Sequence, residues 1–359
     1  MTKLQDLNEV GQSVWYDFIR RDMLTGSGLD DLVATGIRGV TSNPSIFEKA
    51  IADSNLYDDQ IASLKELEPA EIFEALAIDD ITAAADILRP VYDASDGHDG
   101  FVSLEVSPEL AHDTSATIAD AMRLWSAVDR PNLMVKVPAT AAGIPAIEEL
   151  TAAGLNINAT LMFSLSDYEA VAMAYIRGAE RAADPTSLAS VASFFVSRVD
   201  ASTDAALEGV GSDHALSLRG RAAIANAKVA YNRYQELFEG ERFAALKAAG
   251  TRPQRVLWAS TSTKNPEYND VMYVEDLIGP NTVNTAPPAT IDSFIDHGTV
   301  KADSLLVDMD EAATFIDSLP EVGIDFDAIT ETLQVDGVES FADAYTSLLG
   351  AIDRKRLQI

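Results

Sequence analysis

The stretch "NLMVKVPATAAGIPAIEELTAAGLNINATLM", residues 132–162, contains two apolar segments separated by a helical one. The segments 132–139 and 154–162 have the length and apolar content of buried strands. Between them, "AIEELTAAG" ends on Gly154, a residue suited to closing a helix. A strand, a helix and a second strand in this order are the repeating unit of parallel sheets. The stretch therefore predicts an α/β fold.

The same alternation continues along the chain. The other strand candidates are "SVWYDF" (13–18), "RGVTS" (38–42), "GFVSLEV" (100–106), "LASVASFFVSR" (188–198), "RVLWAST" (255–261) and "NTVNTA" (281–286). Eight candidates with interleaved helices favour a (β/α)8 TIM barrel with additional helices at the N- and C-termini. We expect a single domain over residues 1–359, with residues from about 300 to 359 as a C-terminal helical extension.

A doubly wound sheet is the alternative fold. The chain has no G-x-G-x-x-G after a strand and no G-x-x-x-x-G-K-[ST], so both nucleotide-binding motifs are missing.

Two helix starts are predicted from capping residues. Ser107 before Pro108 combines a capping serine with proline at the first helical position, and Ser166 with Glu169 has capping-box spacing.

The composition is strongly acidic. The 359 residues include 57 Asp and Glu against 26 Lys and Arg, which gives a formal net charge of −31. Such a surface repels nucleic acid and anionic membranes, so we expect neither as a partner. We interpret the acidic residues as a solvated coat. If the substrate is an anion, the few cations have to be concentrated at its binding site.

Cysteine is absent from the sequence, which excludes disulfides and thiolate chemistry. No run approaches the roughly 18 to 20 apolar residues of a membrane span. The first residues, "MTKLQDLNEVGQSVWYDF", lack the apolar core of a secretory signal. We therefore expect a cytoplasmic protein, either a monomer or a homodimer.

Several strand candidates carry polar residues on one of their two faces. Ser103 and Glu105 alternate with apolar residues in "FVSLEV", and Asn158 and Thr160 do so in "LNINATL". The same alternation gives a polar face to two further segments, through Ser260, Ser262 and Lys264 and through Thr282 and Asn284. A structural parallel strand is apolar on both faces. We therefore expect a polar pocket inside the barrel, at the carboxyl ends of the strands.

Lys136 is the charged residue in the apolar segment 132–139. Lysine is among the residues least often buried, and loss of hydration lowers the pKa of an ammonium group and exposes a nucleophilic amine. One hypothesis is that this amine forms a Schiff base. The alternative is a structural lysine that is paired with Glu105 or Asp17.

Two longer motifs resemble a known enzyme family. "GVTSNPSIF" (39–47) is similar to the N-terminal signature of the transaldolases. Residues 132–164 resemble the second signature of that family, which surrounds its Schiff-base lysine. Asp17, the S-x-E of "VSLEV" and the S-x-x-x-x-R of "SFFVSR" fit in order, so that the resemblance extends over most of residues 10–290. The length resembles the branch of the family with longer chains.

The resemblance implies a class I aldolase barrel without a cofactor and without a metal. It implies transfer of a dihydroxyacetone unit in the non-oxidative pentose phosphate pathway, so the expected partners are phosphorylated sugars. Sedoheptulose 7-phosphate and glyceraldehyde 3-phosphate would give erythrose 4-phosphate and fructose 6-phosphate.

The resemblance also implies a role for each matched residue. Lys136 would form the Schiff base with the ketose C2 carbonyl, and Asp17 would take the proton of the C4 hydroxyl. Glu105 with Thr160 would hold and activate the water of imine formation and hydrolysis. The residues matched to substrate binding are Asn43, Asn158 and Ser193 for the hydroxyls and Arg198, Ser262 and Lys264 for the phosphate. The family position of Lys264 is often arginine, whereas lysine contacts phosphate as a point charge.

Other functions and roles remain open from the sequence. An aldolase that releases free dihydroxyacetone, like the fructose-6-phosphate aldolases, is one alternative, and a non-catalytic barrel that serves as a scaffold is another. Asp17 alone is typical of a helix start, and Asn43 before Pro44 is typical of a turn. His98 suggests metal binding, but four scattered histidines favour a loop residue. The pair Phe194 and Phe195 favours core packing over a sugar platform.

Overall fold

Eight parallel strands close into a barrel in which each strand pairs with the next one in the chain and the eighth pairs with the first. The computed structural model describes residues 2–358. The strands are β1 (Gln12–Tyr16), β2 (Ile37–Val40), β3 (Phe101–Glu105), β4 (Leu133–Pro138), β5 (Ile157–Met162), β6 (Ser190–Phe195), β7 (Arg255–Ala259) and β8 (Thr282–Ala286). The predicted (β/α)8 barrel is confirmed. The doubly wound alternative is wrong, because such a sheet is open.

Helices surround the barrel and extend it at both ends of the chain. They are α1 (Lys3–Glu9), α2 (Arg21–Thr25), α3 (Gly28–Thr35), α4 (Pro44–Ala52), α5 (Asp58–Ser63), α6 (Pro69–Ala94), α7 (Thr114–Val128), α8 (Gly143–Ala152), α9 (Leu165–Arg181), α10 (Ser197–Val210), α11 (Asp213–Ser217), α12 (Ala222–Phe238), α13 (Glu241–Ala248), α14 (Met272–Glu275), α15 (Pro288–His297), α16 (Met309–Ser318) and α17 (Phe326–Gln358). Short 3-10 helices cover Pro108–Leu110, Ser304–Leu306 and Leu319–Val322. Among residues 2–358, no helix combines the length and the apolar character needed to cross a membrane.

All eight predicted strands form, with ends that differ by a few residues. Both predicted helix starts are wrong in detail. Ser107 makes no capping hydrogen bond and precedes a 3-10 turn, whereas α7 begins after Asp113, whose carboxylate accepts from the amide of Ala116. Helix α9 begins after Ser164 rather than at Ser166, because the Ser164 hydroxyl already accepts from the amide of Asp167. In each case another polar residue nearby satisfies the free amides of the first turn.

The amino-terminal end of the barrel is closed by a buried polar cluster. Arg255, at the start of β7, donates to Ser13 Oγ over 2.9 Å and to Asp99 Oδ1 over 3.0 Å. Asp99 also accepts from the indole of Trp15 and from the hydroxyl of Ser13. These groups satisfy one another, and a cavity of only about 200 Å3 lies beside Arg255 at this end. A larger space is left at the opposite end.

Helix α17 lies across the carboxyl ends of the strands. Gln334 donates to the carbonyls of Ala139 and Leu161, at 3.2 Å each, where β4 and β5 end. One turn later, a Cβ at Gly337 would lie 3.1 Å from the Leu161 side chain, so a residue without a side chain lets the helix approach closely. The predicted helices after residue 300 are present, and α17 covers the open end of the barrel. The assignment of all 359 residues to a single domain stays a prediction.

Candidate active site

A cavity of about 550 Å3 opens at the carboxyl ends of the strands. We call it the sugar cavity after the substrate class that the sequence resemblance implies. The residues around it are Asp17, Phe18, Thr41, Asn43, Ser45, Ile46, Lys49, Lys136, Thr160, Ser193, Phe195, Arg198, Ala259, Ser260, Ser262, Lys264, Thr285, Pro287, Pro288, Ala289 and Phe341. Most of the residues that the sequence predicted for the site are in this set, and Glu105 and Asn158 lie next to it. Its position is the one where barrel enzymes hold their active sites.

Lys136 lies at the centre of a row of polar side chains that crosses three neighbouring strands. The strand register pairs it with Glu105 of β3 on one side and with Asn158 of β5 on the other. Its side chain is 7% exposed, and Nζ is 3.5 Å from Glu105 Oε2 and 3.4 Å from the carbonyl oxygen of Ser42. These contacts are longer than strong hydrogen bonds, so the amine is held loosely and remains free to react.

Glu105 and Thr160 each hold an oxygen that lacks a hydrogen-bond partner. Both Glu105 Oε2 and Thr160 Oγ1 are buried, and within residues 2–358 neither has a hydrogen-bond partner, although Glu105 Oε2 forms a 3.5 Å ion pair with Lys136 Nζ. Burial raises the pKa of Glu105 to about 7, the positive charge of Lys136 opposes this rise, and the charge of Asp17 adds to it. A carboxyl group with such a pKa can give up and take back a proton near neutral pH. Because these two oxygens lack hydrogen-bond partners, they are suited to binding a water molecule.

Asp17 follows the end of β1 and faces Lys136 from the other side of the cavity. Its Oδ1 accepts from the hydroxyl of Thr41 over 2.6 Å, and Thr41 Oγ1 in turn lies 2.7 Å from Thr285 Oγ1. Burial raises the pKa of Asp17, while the hydrogen bond from Thr41 and the charge of Lys136 lower it. The structure therefore places Asp17 in the cavity rather than on the surface.

Asn158 and Ser193 form a hydrogen-bonded pair inside the barrel. Ser193 donates to Asn158 Oδ1 over 2.7 Å, and Asn158 Nδ2 donates to Ser103 Oγ over 3.0 Å. The amide is thereby fixed in one orientation. Asn43 caps α4, because its side-chain oxygen accepts from the amide of Ile46 over 3.0 Å. Its Nδ2 group is left to contact a ligand.

Three cations from three different elements meet at the mouth of the cavity. Arg198 lies in the first turn of α10, Lys264 in the loop after β7, and Lys49 near the end of α4. Within residues 2–358, none of the three forms an ion pair, and Lys264 Nζ is 2.7 Å from Ser262 Oγ. Burial lowers the pKa of Arg198 and also that of Lys264, which the charges of Arg198 and Lys49 lower further. Unpaired cations in an acidic protein indicate an anion-binding site.

Two strands present their side chains differently from the predicted alternation. On β8 it is Thr285 that lines the cavity, whereas Asn284 points outward and donates to the carbonyl of Tyr273 over 3.1 Å. Strand β7 ends at Ala259, and Ser260 has a left-handed φ of 56°. Ser262 and Lys264 therefore reach the cavity from a loop. The alternation fails here because it holds only while the backbone remains extended.

Several residues of the cavity were not predicted from the sequence. Phe341, from α17, has its ring centroid 5.5 Å from Lys136 Nζ. Lys49 lies in α4. The sequence offers only one indication that this residue is near the site, namely that Asn43 and Pro44 start the same helix. The prediction that Phe194 and Phe195 are core residues is confirmed, since both are buried in the hydrophobic core, and Phe195 also borders the cavity.

His98 is a loop residue in front of β3. Its carbonyl accepts from Arg255 over 2.8 Å, and the positive charge of Arg255 together with burial lowers the pKa of the imidazole to about 4. In the part of the chain that the structure describes, no group of three or more His, Cys, Asp or Glu side chains has the geometry of a metal site.

Comparison with known proteins gives matches over nearly the whole chain. The family model described as Transaldolase/Fructose-6-phosphate aldolase matches residues 14–352. The protein named Transaldolase from Frankia alni is 49% identical over 356 residues, which cover 97% of this chain and 96% of that protein. Transaldolase from Thiobacillus denitrificans is 48% identical, with 98% of this chain and 100% of that protein covered. Transaldolase from Mycolicibacterium paratuberculosis is 48% identical over 354 residues.

Proposed function

This chain belongs to the transaldolase/fructose-6-phosphate aldolase family, and we propose that it works through an imine formed at Lys136. Its activity is that of a transaldolase, a transferase of the class I aldolase type. A dihydroxyacetone unit passes from sedoheptulose 7-phosphate to glyceraldehyde 3-phosphate, which yields erythrose 4-phosphate and fructose 6-phosphate. The observation that carries the proposal is the buried amine of Lys136 between Glu105 and Asn158 on adjacent strands.

The reaction begins when the uncharged amine of Lys136 attacks the C2 carbonyl of the ketose. Glu105 donates a proton to the departing C2 hydroxyl, which leaves as water and gives the positively charged iminium. Asp17 then removes the proton of the C4 hydroxyl while the C3–C4 bond breaks and its electrons move into the iminium. General acid and base steps of this kind are each worth about 10² to 10⁴ in rate.

The remaining predicted residues bind the substrate. Asn43, Asn158 and Ser193 hydrogen-bond the hydroxyls of the dihydroxyacetone unit, while Thr160 holds the water with Glu105. Arg198, Ser262 and Lys264 bind the phosphate. This assignment is supported by the cluster of cations without ion pairs at the cavity mouth, within residues 2–358. A monomer or homodimer in the cytoplasm stays our expectation.

Borohydride trapping tests the imine. After incubation with fructose 6-phosphate and reduction, we expect an adduct on Lys136 by mass spectrometry. Lys136→Ala should abolish both the adduct and transfer, with an unchanged circular dichroism spectrum as the control for folding. A folded wild-type protein without an adduct would favour a scaffold barrel. Near-normal activity of the variant would exclude the imine mechanism.

The aldolase alternative is tested by omitting the acceptor. A transaldolase keeps the dihydroxyacetone unit on the lysine until an aldose arrives, so little free dihydroxyacetone should form from fructose 6-phosphate alone. Sustained release without an acceptor, at the rate measured with one, would identify a fructose-6-phosphate aldolase instead.

A further inference from the structure

A second cavity, of about 590 Å3, lies on the other side of Glu105 from the sugar cavity. It opens between α6 and α7, beside the end of β3. Lys136 and Thr160 line the sugar cavity, Glu105 lines the second one, and Asn43 lines both. Helix α17 contributes to both walls as well, through Phe341 to the first and Tyr345 to the second. Glu105 thus lines the second cavity and, through its 3.5 Å approach to Lys136, contacts a residue that lines the first.

The second cavity leads from the surface to the carboxyl group. Its outer rim holds the exposed side chain of Glu71 and an ion-paired cluster, in which Arg123 contacts Glu74 of α6 and Asp120 of α7. At its inner end, buried residues such as Ala77 surround the approach to Glu105. A space of this volume with charged and polar groups along its wall can hold water.

The imine chemistry needs water to move while the sugar cavity is occupied. Formation of the imine breaks the C2–OH bond and releases one water, and hydrolysis consumes one. The hydroxyl leaves with the proton of Glu105, and on hydrolysis the carboxylate takes that proton back from the attacking water. A bound ketose with its phosphate at the cation cluster blocks the mouth of the sugar cavity, so the water needs another path.

We propose that the second cavity is the passage by which water reaches and leaves Glu105 when sugar is bound. This inference rests on the proposed imine at Lys136. It explains why Glu105 Oε2, whose ion pair with Lys136 is 3.5 Å long, is buried without a hydrogen-bond partner inside residues 2–358 and yet belongs to a residue that lines a cavity opening at the surface. On this proposal, the sugar enters through the sugar cavity and the water through the second cavity.

The rate of oxygen exchange at C2 of fructose 6-phosphate tests whether water uses this passage. In water enriched in oxygen-18, exchange requires that the released water leave and a solvent water replace it. Ala75 is a half-buried residue of α6 in the cavity wall, and Ala75→Phe fills the passage. We expect enzyme-catalysed exchange to fall by about tenfold or more, while the yield of borohydride adduct and the KM for the sugar stay unchanged.

Ala83→Phe is the matched control, because Ala83 is a half-buried alanine of the same helix outside the cavity wall. Its exchange rate should equal that of the wild type. Ala77→Leu narrows the inner end and serves as a second variant if Ala75→Phe does not fold. If a folded variant with a filled cavity exchanges oxygen at the wild-type rate, the proposed water passage is wrong. The same conclusion follows if the Ala83→Phe control loses as much exchange as Ala75→Phe. Absence of the adduct in the wild type would instead refute the imine itself.

Discussion

The carboxyl group of Glu105 binds its proton more tightly in the folded protein than in the unfolded chain. Its pKa is raised from 4.5 to about 7, mainly by burial. Between these values the folded state holds a proton that the unfolded state has released, so stability falls as pH rises through this window. Above about pH 7 the buried carboxylate is ionised and destabilises the fold. Below pH 4.5 the group is protonated in both the folded and the unfolded state, so it does not affect stability.

Replacement by glutamine removes this penalty, because the amide is neutral at every pH. We expect Glu105→Gln to gain stability over the wild type by roughly 2–3 kcal/mol between pH 4.5 and pH 8. Urea unfolding of both proteins across this range measures the difference, and comparison with the wild type cancels the other titrating groups. A difference in unfolding free energy that does not change with pH would contradict a raised pKa for the buried Glu105 carboxyl group.

Asp17 and Glu105 are expected to act at different steps, although both are acids near the same lysine. Asp17→Asn removes the base for C3–C4 cleavage and leaves imine formation intact. We predict that this variant still gives the borohydride adduct with fructose 6-phosphate, while transfer falls by about 10² to 10⁴. Thr41→Val is a milder companion, since it removes the hydrogen bond to Asp17 but keeps the carboxylate. Loss of the adduct in Asp17→Asn would argue against this division of roles.

At the scale of elements, the sequence predicted the strands better than it predicted what covers them. Strands β3, β4 and β5 carry Glu105, Lys136 and Asn158 with regular alternation, and short apolar segments report such burial directly. Contacts from distant helices leave no comparable pattern. Phe341 is more than 200 residues from Lys136 in the chain, and nothing in its surroundings distinguishes it from a core aromatic residue.

The attachment of α17 to the barrel depends on a few contacts that can be removed singly. Gln334→Ala deletes the two hydrogen bonds to Ala139 and Leu161, and we expect a loss of about 1–2 kcal/mol in unfolding free energy. Hydrogen exchange in α17 should become faster. Val335, the next residue, is 53% exposed, so Val335→Ala is the matched control without effect. Equal exchange in both variants would show that Gln334 does not anchor the helix.

The whole molecule combines a net charge of −31 with a cluster of three cations at the mouth of the sugar cavity. Arginines elsewhere are largely paired with neighbouring carboxylates, as Arg130 is with Asp86 and Arg177 with Glu148. At the mouth of the sugar cavity, by contrast, Arg198, Lys264 and Lys49 lie together, and within residues 2–358 none of them forms an ion pair. The anionic coat thus leaves the cavity mouth as a local minimum for a phosphate group.

Self-repulsion of the coat predicts a response to salt. The Debye length falls from about 30 Å at 0.01 M to about 8 Å at 0.15 M, so surface carboxylates repel one another less. We expect the melting temperature to rise over this range of sodium chloride concentration. Thermal unfolding followed by circular dichroism measures it, with sucrose at equal osmolality as the control for exclusion effects. A constant or falling melting temperature would contradict the repulsion.

The position of α17 in the chain has a consequence for biosynthesis. All eight strands precede this helix, so during translation they leave the ribosome before Phe341 does. Chains are made from the amino terminus, and their domains fold as they emerge. A nascent barrel would therefore leave the amine of Lys136 more accessible to aldehydes and ketones of the cell until the covering helix docks.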